Sequence, residues 1–167
     1  GPRREWFDVA CCPANLARFV AQFPQYVYAQ HGRTIYVNFF AAGQAQIELD
    51  ERPVRLVQAT DYPWRGRIRL TVEPASPTRF ALAVRIPGWA RGEALPSDLY
   101  TFMPGQPEVP PPSMTLNGEP VDLRLDRGYV VLDRQWQAGD TLDIDLPMAP
   151  RRVVAHEAVA ADRGMVS

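Results

Sequence analysis

The segment RIRLTVEPASPTRFALAVRI, residues 67–86, decides the fold. Apolar and polar side chains alternate in residues 67–73 and again in residues 79–86. The alternating apolar residues are Ile68, Leu70, Val72, Phe80, Leu82, Val84 and Ile86. Because successive side chains of a β-strand point to opposite faces of a sheet, this pattern predicts two strands, each with one buried face.

Similar segments lie on both sides of this pair, with turn residues spaced about 8–12 residues apart, as in sandwich proteins. The further predicted strands are residues 26–30, 34–40, 44–49, 54–58, 114–116, 121–125, 129–133 and 141–146. His31-Gly32-Arg33 and Asn117-Gly118 are predicted hairpin turns. The sequence therefore predicts a mainly β fold, an antiparallel β-sandwich over residues 25–150.

Residues 92–112 interrupt the alternation. They contain six of the 17 prolines and end in Pro110-Pro111-Pro112, which favours an exposed, Pro-rich insertion with extended backbone. After Pro147 the pattern fades, and residues 151–167 have no partner strand of their own in the sequence. We expect residues 151–167 to be the truncated start of a further segment or sandwich.

One amphipathic helix is predicted over residues 13–23, ended by Pro24. Its apolar stripe, spaced i, i+3, i+4 and i+7, consists of Leu16, Phe19, Val20 and Phe23. Such a stripe needs a partner surface. Either the β-rich remainder or a helical domain outside this chain could supply that surface.

Both cysteines of the chain, Cys11 and Cys12, lie directly before this helix in WFDVACCPAN, residues 6–15. Since proline is favoured at the first helical position, Pro13 places Cys12 at or near the N-cap, where free N–H groups stabilise a thiolate. A disulfide between adjacent cysteines is strained, because their Cα atoms lie only about 3.8 Å apart. We expect a reduced pair that serves as metal ligand or nucleophile; the alternative is two small buried side chains.

The net charge of −1 gives no reason to expect nucleic acid or an anionic membrane as a partner. No apolar run approaches the length of about 20 residues that spans a bilayer. No signal peptide is visible, and free thiols favour the cytoplasm. His31 and His156, in polar surroundings, are expected to be exposed rather than metal ligands, and the arginines of residues 65–69 to form a solvated face.

The four tryptophans have different expected roles. Trp64, Trp89 and Trp136 are expected to pack against the sandwich; the alternative is a platform on which sugars stack. Trp6 lies next to the cysteines and is a candidate to line a substrate pocket.

Several segments together carry a family resemblance. Cys11-Cys12-Pro13-Ala14-Asn15, preceded by Trp6-Phe7, resembles the Cys-Cys-Pro-Pro-Asn motif of glycoside hydrolase family 127 (GH127), the β-L-arabinofuranosidase-like enzymes. The other matching segments are YVYAQHGRTIYVNF (residues 26–39), YPWRG (62–66), RIPGW (85–89) and Asp162-Arg163-Gly164. Ala14 departs from the family motif, but Pro13 already sets the helix start.

The resemblance implies an (α/α)6 catalytic barrel followed by β-sandwich domains. Residues 1–24 would be the C-terminal end of the barrel, with the amphipathic helix closing it. The resemblance also implies a retaining glycosidase that acts on arabinofuranosides, with Cys11 as its nucleophile. Cys11 and Cys12 would bind Zn²⁺ together with a glutamate and a third cysteine from the upstream barrel, and a homodimer is a further implied assembly.

A retaining glycosidase also needs a general acid to protonate the leaving oxygen. Glu5 and Asp8 are near the cysteines in sequence, but nothing marks either as that acid, and in the family it is an upstream glutamate. The isolated chain is therefore expected to be inactive. The alternative function is a non-catalytic carbohydrate-binding or interdomain sandwich with structural cysteines.

Overall fold

Two β-sheets share one layer of buried apolar side chains in the computed structural model, which describes residues 11–162. The strands are β1 (Tyr28–His31), β2 (Thr34–Val37), β3 (Gly43–Leu49), β4 (Arg52–Thr60), β5 (Arg67–Pro74), β6 (Thr78–Arg85), β7 (Tyr100–Phe102), β8 (Ser113–Leu116), β9 (Glu119–Pro120), β10 (Leu125–Asp126), β11 (Tyr129–Trp136), β12 (Asp140–Asp145) and β13 (Val153–Ala155). One sheet has the order β1-β2-β6-β11-β10 and the other β3-β4-β5-β12-β8-β9. The predicted mainly β, antiparallel sandwich is confirmed.

The segment that decides the fold crosses between the two sheets. β5 pairs with β4 and β12 in the six-stranded sheet, whereas β6 pairs with β11 in the five-stranded sheet. The seven alternating apolar residues of the segment are each at most 2% exposed. Full burial of each such side chain stabilises the fold by about 1.5–3 kcal/mol, so this segment supplies much of the core.

Two details of the sheets differ from the prediction. β2 pairs with β6 in parallel, because the chain passes through the other sheet between them. The predicted strand at residues 121–125 is wrong: residues 121–124 are irregular, and the short strands β9 and β10 lie on either side of them. Val121 and Leu123 still pack against the core. Apolar residues therefore alternate here because a loop, not a strand, buries their side chains.

The Pro-rich insertion contains an unexpected strand. β7 pairs with β13, which lies in the segment that follows the sandwich. The prediction that residues 151–167 have no partner is therefore wrong for Val153–Ala155. Strands of only three paired residues are too short for their alternation to be recognised in the sequence. The domain boundaries at residues 24 and 151 remain predictions.

The helical segment also departs from the prediction. α1 (Cys11–Gln22) is followed by α2 (Pro24–Val27), so Pro24 begins a second short helix, as proline can at a first helical position. No helix in the described part of the chain is long and apolar enough to cross a membrane.

The apolar stripe of α1 is largely uncovered by the sandwich. Leu16, Phe19 and Val20 are 63%, 54% and 63% exposed, and α1 has no buried residue. The last residue of the stripe, Phe23, follows α1 and packs against Phe39 in the loop after β2, with ring centroids 5.5 Å apart. The β-rich remainder is therefore not the partner surface of this stripe within residues 11–162.

A buried carboxylate joins two turns at one end of the second sheet. Asp140 accepts hydrogen bonds from the Asn117 side chain (2.8 Å) and from the Gln137 backbone N–H (2.9 Å). Burial alone would raise the pKa of Asp140, but these two hydrogen bonds and the charge of Arg134 lower it overall. The carboxylate thus stabilises the fold only in its ionised form.

We expect Asp140→Asn to lower the free energy of unfolding at pH 7 by about 1–3 kcal/mol, because the amide cannot accept both hydrogen bonds. Since the folded pKa lies below the unfolded value, this stabilisation is present above about pH 4 and is lost as the pH falls through the folded pKa. Urea unfolding from pH 7 to pH 2.5 measures it. The exposed Asp122, paired with Arg124, is the control, and Asp122→Asn should change stability by less than about 0.5 kcal/mol. An equal loss in both variants at every pH would contradict the assignment.

Candidate functional site

The two cysteines lie side by side on an exposed helix surface. Cys11 and Cys12 are the first two described residues of α1, and both side chains are exposed and free of disulfides. Their Sγ atoms are 3.7 Å apart. Cys12 is helical, and the residues before Cys11 lie outside the described part of the chain, so the position of Cys12 at or near the N-cap remains a prediction. The use of the pair as metal ligand or nucleophile remains a prediction.

The described residues bring two sulfur atoms together and contain no complete metal site. No group of three or more His, Cys, Asp or Glu side chains converges anywhere in residues 11–162. His31 and His156 are exposed, as expected. Trp6, Glu5 and Asp8 lie outside the described residues, as do Arg163 and Gly164, so the assignment of Trp6 to a substrate pocket remains a prediction.

The two motifs YPWRG and RIPGW meet in space. Tyr62 packs edge-on against Phe40, with ring centroids 5.9 Å apart, and Trp89 of the second motif packs on the same core. Burial raises the pKa of the Tyr62 hydroxyl, and a hydrogen bond with Trp89 partly offsets that shift. Residues that are 27 positions apart in the chain therefore form one aromatic junction at an end of the sandwich.

A steric constraint explains why the last residue of YPWRG is a glycine, Gly66. A Cβ atom on Gly66 would lie 1.9 Å from the Leu146 carbonyl oxygen and 2.9 Å from Cγ of Met148. The backbone of Gly66 also accepts a hydrogen bond from the Leu146 N–H at 2.9 Å. The turn of YPWRG can thus approach the end of β12 only without a side chain at this position.

Two clefts flank the aromatic junction. The larger, about 910 Å³, lies between the junction, the Pro-rich insertion and the residues after β12. The smaller, about 390 Å³, extends towards Asn38 and Phe39. Tyr62, Trp89 and Arg91 line both clefts. The sequence did not reveal these clefts, although the two aromatic motifs that meet there were recognisable.

The tryptophans separate into three environments. Trp136 is fully buried beside Phe80, and Trp89 is part-buried against the core, so the packing expectation is confirmed for both. Trp64, in the turn between β4 and β5, is 87% exposed, and the packing expectation is wrong for it. The three side chains therefore do not form a single sugar-stacking platform. The arginines of residues 65–69 are solvated, as expected.

The fold and the two joined motifs define a β-sandwich domain. A family model described as "Beta-L-arabinofuranosidase, GH127 middle domain" matches residues 34–148. The chain belongs to this GH127 family, in agreement with the resemblance seen in its sequence.

Relatives and solved structures agree with this assignment. The chain is 36% identical to the non-reducing end β-L-arabinofuranosidase of Bifidobacterium longum subsp. longum, over 99% of this chain and 23% of that protein. A solved GH127 β-arabinofuranosidase matches with a TM-score of 0.92 and 38% identity, over 100% of this chain and 26% of the other. A GH127 β-L-arabinofuranosidase from Geobacillus stearothermophilus T6 matches with a TM-score of 0.82 and 37% identity, over 99% and 23%. The chain thus spans about a quarter of the length of these relatives.

We expect Gly66→Ala to destabilise the sandwich by about 1–3 kcal/mol or more, because the added methyl group overlaps a backbone carbonyl. Thermal and urea unfolding measure the loss. Gly32→Ala is the comparison: a Cβ there meets open space, and the backbone φ of +54° costs only about 1–2 kcal/mol. A Gly66→Ala protein as stable as the unsubstituted one would show that the turn does not need this close approach.

Proposed function

We propose that this chain is part of a retaining glycoside hydrolase that releases β-L-arabinofuranose-type sugars with Cys11 as nucleophile. The observation that carries the proposal is the pair of exposed, adjacent thiols in a chain of the GH127 family. The names of the related enzymes supply the substrate class. A purely structural role for the cysteines is less favoured, because structural free cysteines are usually buried.

The cysteine pair fits a zinc ion. Two sulfurs bound at about 2.3 Å to one tetrahedral Zn²⁺ lie about 3.8 Å apart, and the Sγ atoms of Cys11 and Cys12 are 3.7 Å apart. When bound, Zn²⁺ keeps cysteine ligands deprotonated near neutral pH. Cys11 and Cys12 would supply two of four ligands, and the remaining ligands would come from outside the described residues.

The Cys11 thiolate would attack the anomeric carbon of the sugar. A C–S bond forms as the glycosidic C–O bond breaks, and the leaving oxygen takes a proton from a general acid. Water then attacks the same carbon and gives its proton to the conjugate base of that acid, the C–S bond breaks to return the thiolate, and two inversions give net retention.

The general acid and the other zinc ligands would belong to another part of the protein. No described acidic residue joins the cysteines in a cluster. We therefore expect the 167-residue chain alone, supplied with zinc, to hydrolyse no aryl β-L-arabinofuranoside. Detectable turnover by that chain would contradict the division of the site between two regions.

In the full-length protein, we expect Cys11→Ser and Cys12→Ser each to lose the single bound zinc. Cys11→Ser should also reduce hydrolysis of an aryl β-L-arabinofuranoside by about 10³-fold or more, because it removes the nucleophile. Metal analysis, thiol titration and a hydrolysis assay measure these effects. His31→Ala, which removes an exposed side chain of a ligand-forming type, is the control and should change neither zinc content nor rate. If the unsubstituted protein binds no zinc and both cysteine variants keep their activity, the cysteines have no role in metal binding or catalysis.

We also propose that the apolar stripe of α1 packs against the helical part of the full-length protein. The stripe is exposed in the described residues, and about three quarters of the related proteins lies outside this chain. An apolar stripe of this kind is stable in a soluble protein when it is covered. α1 would thereby hold the cysteine pair at a boundary between two regions.

For this packing we expect Leu16→Glu to destabilise the full-length protein by about 2–3 kcal/mol, through burial of a charge. The same change in the 167-residue chain should cost less than about 0.5 kcal/mol, since Leu16 is exposed there. Arg18→Gln, on the opposite side of the helix, is the matched control. Equal effects of Leu16→Glu in both forms of the protein would refute the packing.

A further inference from the structure

The wall of the larger cleft is a fixed structure. β7 of the insertion pairs with β13, and the Met103 N–H donates to the Arg152 carbonyl at 2.9 Å. The Gln106 side chain extends this ladder: its amide accepts from the Arg152 N–H at 2.5 Å and donates to the Arg152 carbonyl at 2.9 Å. Because Gln106 imitates a backbone peptide group, the insertion holds its position and the cleft is preformed.

The cleft combines apolar and polar surfaces in the manner of a small-molecule site. Its volume of about 910 Å³ lies within the range of about 300–1,000 Å³ that is typical of ligand pockets. Tyr62 and Trp89 present aromatic surface on one side, and the three consecutive prolines of the insertion line another side. Rigid aromatic rings bind apolar surface at a low cost in conformational entropy.

Positive and negative side chains occur in equal number around the cleft. The Arg91 guanidinium pairs with both oxygens of Glu93, at 3.0 and 3.1 Å. The guanidinium of Arg151 lies over the ring of Phe102, 3.3 Å from its centroid. Glu108 adds a negative charge at the cleft rim. The two arginines and the two glutamates sum to no net charge, which favours a neutral ligand over a phosphate or carboxylate.

Arg91 still has hydrogen-bonding capacity. Two of its five N–H groups are used in the described contacts, both with Glu93. A guanidinium group beside an aromatic ring can donate hydrogen bonds to the hydroxyl groups of a ligand while the ring packs against the C–H face of the same ligand. Gln106, in contrast, spends its amide on the wall, with contacts to Met103 and Arg152.

We propose that this cleft binds a neutral saccharide unit, with its C–H face on the Trp89 ring and its hydroxyls on the Arg91 guanidinium. The site is built from the aromatic junction and the insertion, and does not rest on the cysteine chemistry proposed above. The insertion then has a binding role, as the wall that closes one side of a sugar site.

The test uses the full-length protein labelled with 5-fluorotryptophan and followed by ¹⁹F nuclear magnetic resonance. The probes are L-arabinobiose, xylobiose and inorganic phosphate, added to the Cys11→Ser variant so that no sugar is consumed. Trp89→Phe and Trp64→Phe assign the two signals. We expect a saccharide to shift the Trp89 signal saturably and to leave the signal of the exposed Trp64 unchanged, which makes Trp64 an internal control.

We further expect Arg91→Met to weaken that binding at least tenfold, while Arg65→Met, an exposed arginine near Trp64, leaves it unchanged. A Trp89 signal that no saccharide moves would overturn the proposal, as would a signal moved by phosphate instead. If saccharides do not bind and Arg91→Met lowers the unfolding temperature of the full-length protein, the cleft is a contact with the rest of the polypeptide, and the proposal is wrong.

Discussion

Burial of one aromatic pair between the sheets is the interaction on which the rest of the structure depends. Trp136 at the end of β11 stacks beside Phe80 of β6, with ring centroids 5.7 Å apart, and its indole N–H donates to the Phe80 carbonyl at 3.0 Å. Removing a buried aromatic side chain of this size costs about 3–5 kcal/mol. This contact fixes the register of β6 and β11, and β6 in turn carries β2 and leads into the RIPGW segment. The position of Trp89, and thus of both clefts, follows from a core contact made in β6, the strand that precedes Trp89.

The sequence predicted the parts of the fold that local alternation determines. The strands of residues 67–86 follow from side-chain period alone, because one face of each is buried. The parallel pairing of β2 with β6 could not be predicted, because it depends on which strands the other sheet takes from the intervening chain. The apolar alternation at residues 121–125 was misleading for a related reason: Val121 and Leu123 bury side chains in a loop whose backbone makes no ladder.

The candidate sites were predictable to different degrees. Cys11 and Cys12 stand out in the sequence by chemistry, and their closeness follows from adjacency. Their place relative to the start of α1 remains a prediction, since the residues before Cys11 lie outside the described part of the chain. The clefts were invisible because they form between segments that meet only after folding: YPWRG, RIPGW and an insertion whose polyproline end suggested only an exposed linker. Gly66 and Gln106 illustrate this. Gly66 matters through its contact with the distant backbone of Leu146, and Gln106 matters through its contact with the distant backbone of Arg152.

The Gln106 side chain attaches the insertion without taking part in the packing of the sandwich core, whereas in most loops attachment and packing depend on the same residues. A loop tied down by main-chain pairing alone can be loosened only by changing its path, which also disturbs the strands beside it. Here one side-chain amide extends the backbone ladder between β7 and β13, and Gln106 lies outside the buried core of the sandwich. A change at this position can therefore alter how firmly the wall of the cleft is attached without removing a side chain from the core of the two sheets.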